Sequence, residues 1–159
     1  MAITVKDVLE IAQSKGCILA AGGERLNKVV RYVDCMEIPN MEAWMRPNVL
    51  YITTGYAYSG TKEEILSLII SLNNAKAAAL AIKSRFIVQY LDEVLELAKQ
   101  YQFPIIIMPE ELAFIELNYA IMEALVKSHS NNSVKSHLEK YNFRELNRKL
   151  FVDFIGVRI

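Results

Sequence analysis

Cysteine is scarce in this sequence: only Cys17 and Cys35 occur among 159 residues. Two thiols in a chain of this size, with no secretion signal, read as reduced core residues rather than a disulfide. Histidine is equally sparse. His129 and His137 lie eight residues apart, about 12 Å along a helix, too far to share a metal, so no metal site and no cofactor are expected. Long apolar runs are missing too. None reaches the ~18–20 residues a membrane span needs, and the opening Met-Ala-Ile-Thr-Val-Lys-Asp is not a signal peptide. The expectation is a cytoplasmic protein. No phosphate-binding loop, no Gly-x-Gly-x-x-Gly, no Gly-x-Ser-x-Gly elbow and no His-Glu-x-x-His motif occurs, so no enzyme class announces itself. Net charge is also absent, with 18 basic and 18 acidic side chains. The balance is uneven along the chain. Residues 1–126 carry 11 Lys/Arg against 15 Asp/Glu, whereas residues 127–159 carry 7 against 3. An acidic body is a poor nucleic-acid platform, because phosphate contacts demand clustered cations.

What the sequence does hold is a repeated change of period. Hydrophobic residues make up 53% of it, enough for one packed domain. Thr4 with Asp7 forms a capping box, and Val5, Val8, Leu9 and Ala12 follow at helical spacing up to Gly16. Residues 17–20 and 29–36 read as strands. Three similar units come next, each a continuous apolar strand, a turn and an amphipathic helix. The strands are residues 49–53, 78–82 and 104–108, with starts 29 and 26 residues apart, about one βαβ unit. Continuous apolarity implies strands covered on both faces. Helices are expected at about 61–74, 88–101 and 113–128. The architecture is therefore α/β, a mostly parallel sheet with helices packed around it and a C-terminal helical extension. Trp44 reads as a core anchor closing one end of the sheet.

In such a sheet, loops beyond the carboxyl ends of the strands converge on one side, where ligands bind. Those ends carry Asp34 and Glu37, then Thr53, Thr54, Gly55 and Tyr56, then Lys83 and Arg85, then Glu110 and Glu111. Glu37, Thr53, Thr54, Gly55, Lys83 and Glu110 are the candidate ligand-binding residues. Thr54 and Gly55 can present backbone N–H donors to an anion, and Lys83 with Arg85 can hold a carboxylate or carbonyl oxygen. Strand ends in any α/β protein are polar, so ordinary loop and capping roles compete with this reading. Glu37, Lys83 or Glu110 as acid or base in a small enzyme is the least favoured alternative.

Residues 129–133, His-Ser-Asn-Asn-Ser, have linker composition. Beyond them Phe143, Leu146, Leu150 and Phe154 form a sparse apolar stripe on a basic segment, of the kind that covers a second subunit or domain. The organisation expected is a compact unit at 1–128, then a linker and helical extension at 129–159 leading to a downstream domain. A homodimer is expected, with the tail packed on a second copy.

Several segments together resemble one family. They are Ile3 to Leu9, then Ala21-Gly22 with Leu26 and Val30 behind, then Glu37-Ile38-Pro39-Asn40, Trp44 and Leu50 to Gly55. An Ala-rich strand ending at Lys83, the strand from Phe103 to Pro109, and Phe114 complete the set. Their order and spacing are similar to the amino-terminal domain of PucR-type transcription regulators, over residues 3 to about 126. Arg25 stands where that family often carries a glycine. The resemblance implies a role rather than a reaction: sensing a metabolite such as a purine-catabolism intermediate, or mediating assembly, while a distant carboxy-terminal helix-turn-helix binds DNA. The fold is also similar to the small amino-terminal domain of HPr kinases, a likeness of architecture only.

Overall fold

The computed structural model describes residues 1–138. Its first helix, α1 (Val5–Gln13), is opened by the expected capping box: the Thr4 N–H donates to Asp7 Oδ2 at 2.7 Å and the Asp7 N–H returns a bond to Thr4 Oγ1 at 3.4 Å. Then follow β1 (Ile18–Ala21), β2 (Tyr32–Cys35), β3 (Val49–Thr53), α2 (Lys62–Asn74), β4 (Ala79–Lys83), α3 (Leu91–Gln100), β5 (Ile105–Met108) and α4 (Phe114–Leu138). Single turns of 3₁₀ helix fill the loops at Gly23–Arg25, Glu42–Trp44, Tyr56–Tyr58 and Val88–Tyr90.

The five strands form one sheet in the order β1-β5-β4-β3-β2. β2 through β5 are parallel, and β1 runs antiparallel to β5 at one edge. The mostly parallel α/β architecture is therefore as the apolar runs imply. Successive residues alternate between two cores. Val49, Tyr51, Leu80, Ile82 and Ile105 meet α2 and α3 on one face. Leu50, Ile52, Ala79, Ala81 and Ile106 meet α1 and α4 on the other. Burial on both faces explains why β3 is buried at every position.

Three expectations need correction. Trp44 is 62% exposed and does not close the sheet. The buried aromatic here is Tyr51, in the middle of β3, whose hydroxyl accepts the Arg46 N–H at 2.9 Å. Cys35 is exposed at the end of edge strand β2, whereas Cys17 is buried; both are free thiols. Residues 129–133 lie within α4; polar composition alone did not end a helix that contains no proline or glycine. The apolar positions from Phe143 to Phe154 fall outside the described residues.

The turn after β1 does not need a glycine at position 25. Arg25 donates its N–H to the Gly22 carbonyl, and the left-handed residue is Gly22 itself, at φ 75°. A Cβ on Gly22 would lie 2.3 Å from the Phe103 carbonyl carbon and the Pro104 nitrogen, so two backbones touch there.

Candidate functional site

The loops following β2, β3, β4 and β5 all emerge at one end of the sheet, and the expected residues gather there in two groups. The first joins the loops after β2 and β3. Thr54 donates its backbone N–H to Glu37 Oε1 and its hydroxyl to Glu37 Oε2, both at 2.6 Å. The Tyr56 N–H in turn donates to the Thr54 hydroxyl at 3.2 Å. Thr53, fully buried at the end of β3, accepts the Gly55 N–H on its own hydroxyl at 3.0 Å. Gly55 is left-handed (φ 81°), and a Cβ there would stand 3.1 Å from Ile82 Cδ1 and 3.2 Å from Ile87 Cγ2. Packing under the loop thus accounts for this glycine.

The second group joins the loops after β4 and β5. The Lys83 ammonium donates to the Glu110 carbonyl oxygen, while the Glu110 carboxylate accepts the Arg85 N–H at 3.2 Å. Lys83 also lies 5.9 Å from the centre of the Phe114 ring at the start of α4. Lys83 is drawn to β5 because the parallel register sets it beside Met108.

Between the two groups stands an aromatic pair, of which Tyr56 but not Phe86 belongs to the strand-end residues expected there. Tyr56, 68% exposed, meets Phe86 edge to face with ring centres 5.2 Å apart. The Arg85 guanidinium sits 5.5 Å from the Phe86 centre. The available signal was an aromatic residue in each of two adjacent loops at strand ends, a place where apolar side chains have no core to fill. A cavity of about 490 Å³ opens beside this end, lined by Pro39, Asn40, Glu42, Ala57, Tyr58, Glu63, Glu64 and Ser67. None of the six expected ligand residues lines it. Its wall is anchored by Tyr58, whose hydroxyl donates to the Ile38 carbonyl at 3.0 Å. Burial, with Glu42 and Glu37 nearby, pushes the Tyr58 phenol up to about 12.

The topology adds a distinction among the strand ends. The chain leaves β3 and β4 toward α2 and α3 on one face, but leaves β5 toward α4 on the other. Loops after neighbouring strands therefore diverge only between β4 and β5, the arrangement that opens a crevice in parallel sheets. Lys83 and Glu110 border that divergence. Among the described residues no group of three or more His, Cys, Asp or Glu side chains could hold a metal ion. Nor is any described helix long and apolar enough to cross a membrane.

The model of the purine catabolism regulatory protein-like family matches residues 7–125, well over half of the chain. The chain belongs to that family. A curated relative, the purine catabolism regulatory protein of Bacillus subtilis (strain 168), is 28% identical over 130 residues, covering 81% of this chain but only 24% of the relative. The PucR-like chain thus spans about a quarter of that protein's length. Among solved structures, it is similar to the CBS and DRTGG domains of the regulatory region of Clostridium perfringens pyrophosphatase, complexed with the activator diadenosine tetraphosphate. That likeness covers 73% of this chain and 47% of the other, at 17% identity and a TM-score of 0.46.

Proposed function

We propose that this chain is the effector-sensing domain of a bacterial transcription regulator and binds a small anionic or carbonyl-rich metabolite, such as a purine-catabolism intermediate, at the carboxyl edge of its sheet. Glu37, Thr53, Thr54, Gly55, Lys83 and Glu110 form the contact set, in a cytoplasmic homodimer that performs no catalysis itself. Residues 129–159 would link it to a downstream domain, and DNA contact would fall to a helix-turn-helix outside this chain. Family membership supports the regulatory role. The observation that carries the site is the divergence of the β4 and β5 loops, with the Lys83 ammonium at its mouth on the Glu110 backbone carbonyl and near the Phe114 ring. An effector carboxylate or carbonyl oxygen can replace the Glu110 carbonyl on that ammonium, freeing the β5–α4 loop. Occupancy would thereby reach α4, the element that leads out of the fold.

A thermal-shift and calorimetric screen tests this, using urate as a purine breakdown product and succinate as a small dicarboxylate. A ligand at 100 times its dissociation constant stabilises the fold by about 2.7 kcal/mol. Lys83→Met keeps the aliphatic stem and the fold, and is expected to weaken such a ligand by about 1.5–3 kcal/mol, roughly ten- to hundred-fold. Equal binding to both proteins would remove Lys83 from the site.

A further inference from the structure

We propose that a cavity between α4 and the first residues of the chain, lined by Arg31 and His129, binds a small oxyanion of phosphate or sulfate size. Three segments build it. Residues 1–3 lie beside residues 28–30, where the Val30 N–H donates to the Ile3 carbonyl at 2.8 Å and the Val5 N–H to the Lys28 carbonyl at 2.9 Å. Ser128 and His129 of α4 form the third side. The space is about 230 Å³, with Ile3, Val29 and Val30 as its apolar part and Arg31, Ser128 and His129 as its polar part. That is below the roughly 300 Å³ at which pockets for drug-sized molecules begin, but ample for a tetrahedral oxyanion.

Two observations give the ligand its sign. The charged and titratable groups along the cavity are Arg31, His129 and the amino group of Met1, and no carboxylate lines it. Among the described residues neither Arg31 nor His129 enters an ion pair; the pair on α4 joins Glu123 to Lys127. An arginine's planar, permanently charged fork matches two oxygens of an oxyanion, and the apolar part of the lining strengthens such a pairing. The second observation is the bonding of the histidine. The Ser128 hydroxyl and His129 Nδ1 both lie 2.8 Å from the Leu125 carbonyl oxygen. A carbonyl only accepts, so His129 Nδ1 carries its hydrogen, and Nε2 is the atom that gains a proton on acidification. Histidine is the side chain whose charge changes between about pH 5 and 8, so the cavity acquires a further cation within that range. An oxyanion shared by Arg31 and His129 ties α4 to the segment that enters β2, and occupancy then fixes the direction in which α4 leaves the fold.

The cavity lies about 22 Å along the helix from Phe114, so this site and the effector site can fail separately. Sulfate is the probe, because it stays dianionic while the protein titrates. Added to the isotope-labelled 159-residue chain against chloride at constant ionic strength, it is expected to shift the amide resonances of residues 29–31 and 128–129. Binding should be about ten-fold tighter at pH 5.5 than at pH 8. Arg31→Met keeps the aliphatic stem and should weaken sulfate about ten- to hundred-fold, with part of the loss restored in Arg31→Lys. Both variants should fold, because the backbone N–H of Arg31 and not its side chain bonds the Asn48 carbonyl; circular dichroism checks this. His129→Gln should remove the dependence on pH. Inorganic phosphate and methyl phosphate, compared at pH 8, tell a free ion from the head of a phosphoester, and the tighter of the two assigns the source. Sulfate shifts confined to the loops of the carboxyl edge overturn the proposal. So do parent affinity in Arg31→Met, equal affinity at both pH values, or no shift at residues 29–31 and 128–129.

Discussion

Gly22 shows how much a single position can decide. Its left-handed backbone and the 2.3 Å approach to the Phe103–Pro104 peptide leave no room for a Cβ, and backbone cannot step aside as a flexible side chain would. Gly22→Ala should therefore lower the unfolding free energy by more than about 3 kcal/mol, beyond the usual range of point substitutions. Urea denaturation measures this, and a loss under about 1 kcal/mol would mean that the strand ends separate easily. Tyr58 presents the milder case. Tyr58→Phe removes the bond to the Ile38 carbonyl and should cost about 0.5–1.5 kcal/mol. Its raised phenol also sets a sign. The folded protein holds the proton more tightly than the unfolded chain, whose tyrosine titrates near 10. The contribution is thus complete below pH 10 and lost as pH rises toward about 12. Unfolding midpoints measured from pH 9 upward should fall more steeply for the parent protein than for Tyr58→Phe.

At the scale of the element, α1 makes the opposite prediction about pH. Bonds from Thr4 hold the Asp7 carboxyl below its ordinary 3.8. Its contribution is present above that value and disappears as pH falls through the lower, folded-state value. Thr4→Ala should cost about 1 kcal/mol at pH 7, and Asp7→Asn should flatten the acid side of the stability profile. Chemical denaturation between pH 2 and 7 checks both. This capping box was legible because it spans three residues and depends on nothing distant. The same holds for the strands at 49–53 and 104–108, whose continuous apolarity is a direct record of burial on two faces. Trp44 was not legible. Large aromatic side chains favour burial in general, but Trp44 lies in a loop that the fold leaves exposed, whereas Tyr51, in the middle of β3, is buried by its strand's place in the sheet. The pairing of Glu37 with Thr54 and of Lys83 with Glu110 was out of reach for the same reason. The residue types and the shared edge follow from local pattern, whereas donor and acceptor meet across 17 and 27 residues of chain.

For the whole molecule, the order of the strands matters more than any contact. Three parallel strands could be inferred from the βαβ repeats; the place and direction of β1 could not, since four apolar residues fit either edge and either sense. It settles antiparallel beside β5, so that Ile18 lies opposite Ile107, nearly 90 residues later in the chain. During synthesis at about 5–20 residues per second, the first strand therefore waits several seconds on the ribosome for the last one. Until β5 emerges, α1 and β1 have only half of their core, and the slow step is closure of that long loop. Nascent chains stalled at residue 100 plus a tunnel-length spacer should remain protease-sensitive throughout. Chains stalled 30 residues later should become resistant in a single step, because the sheet has no stable intermediate size on which to pause. The amino terminus of this domain is thus the first part made and the last part to find its place.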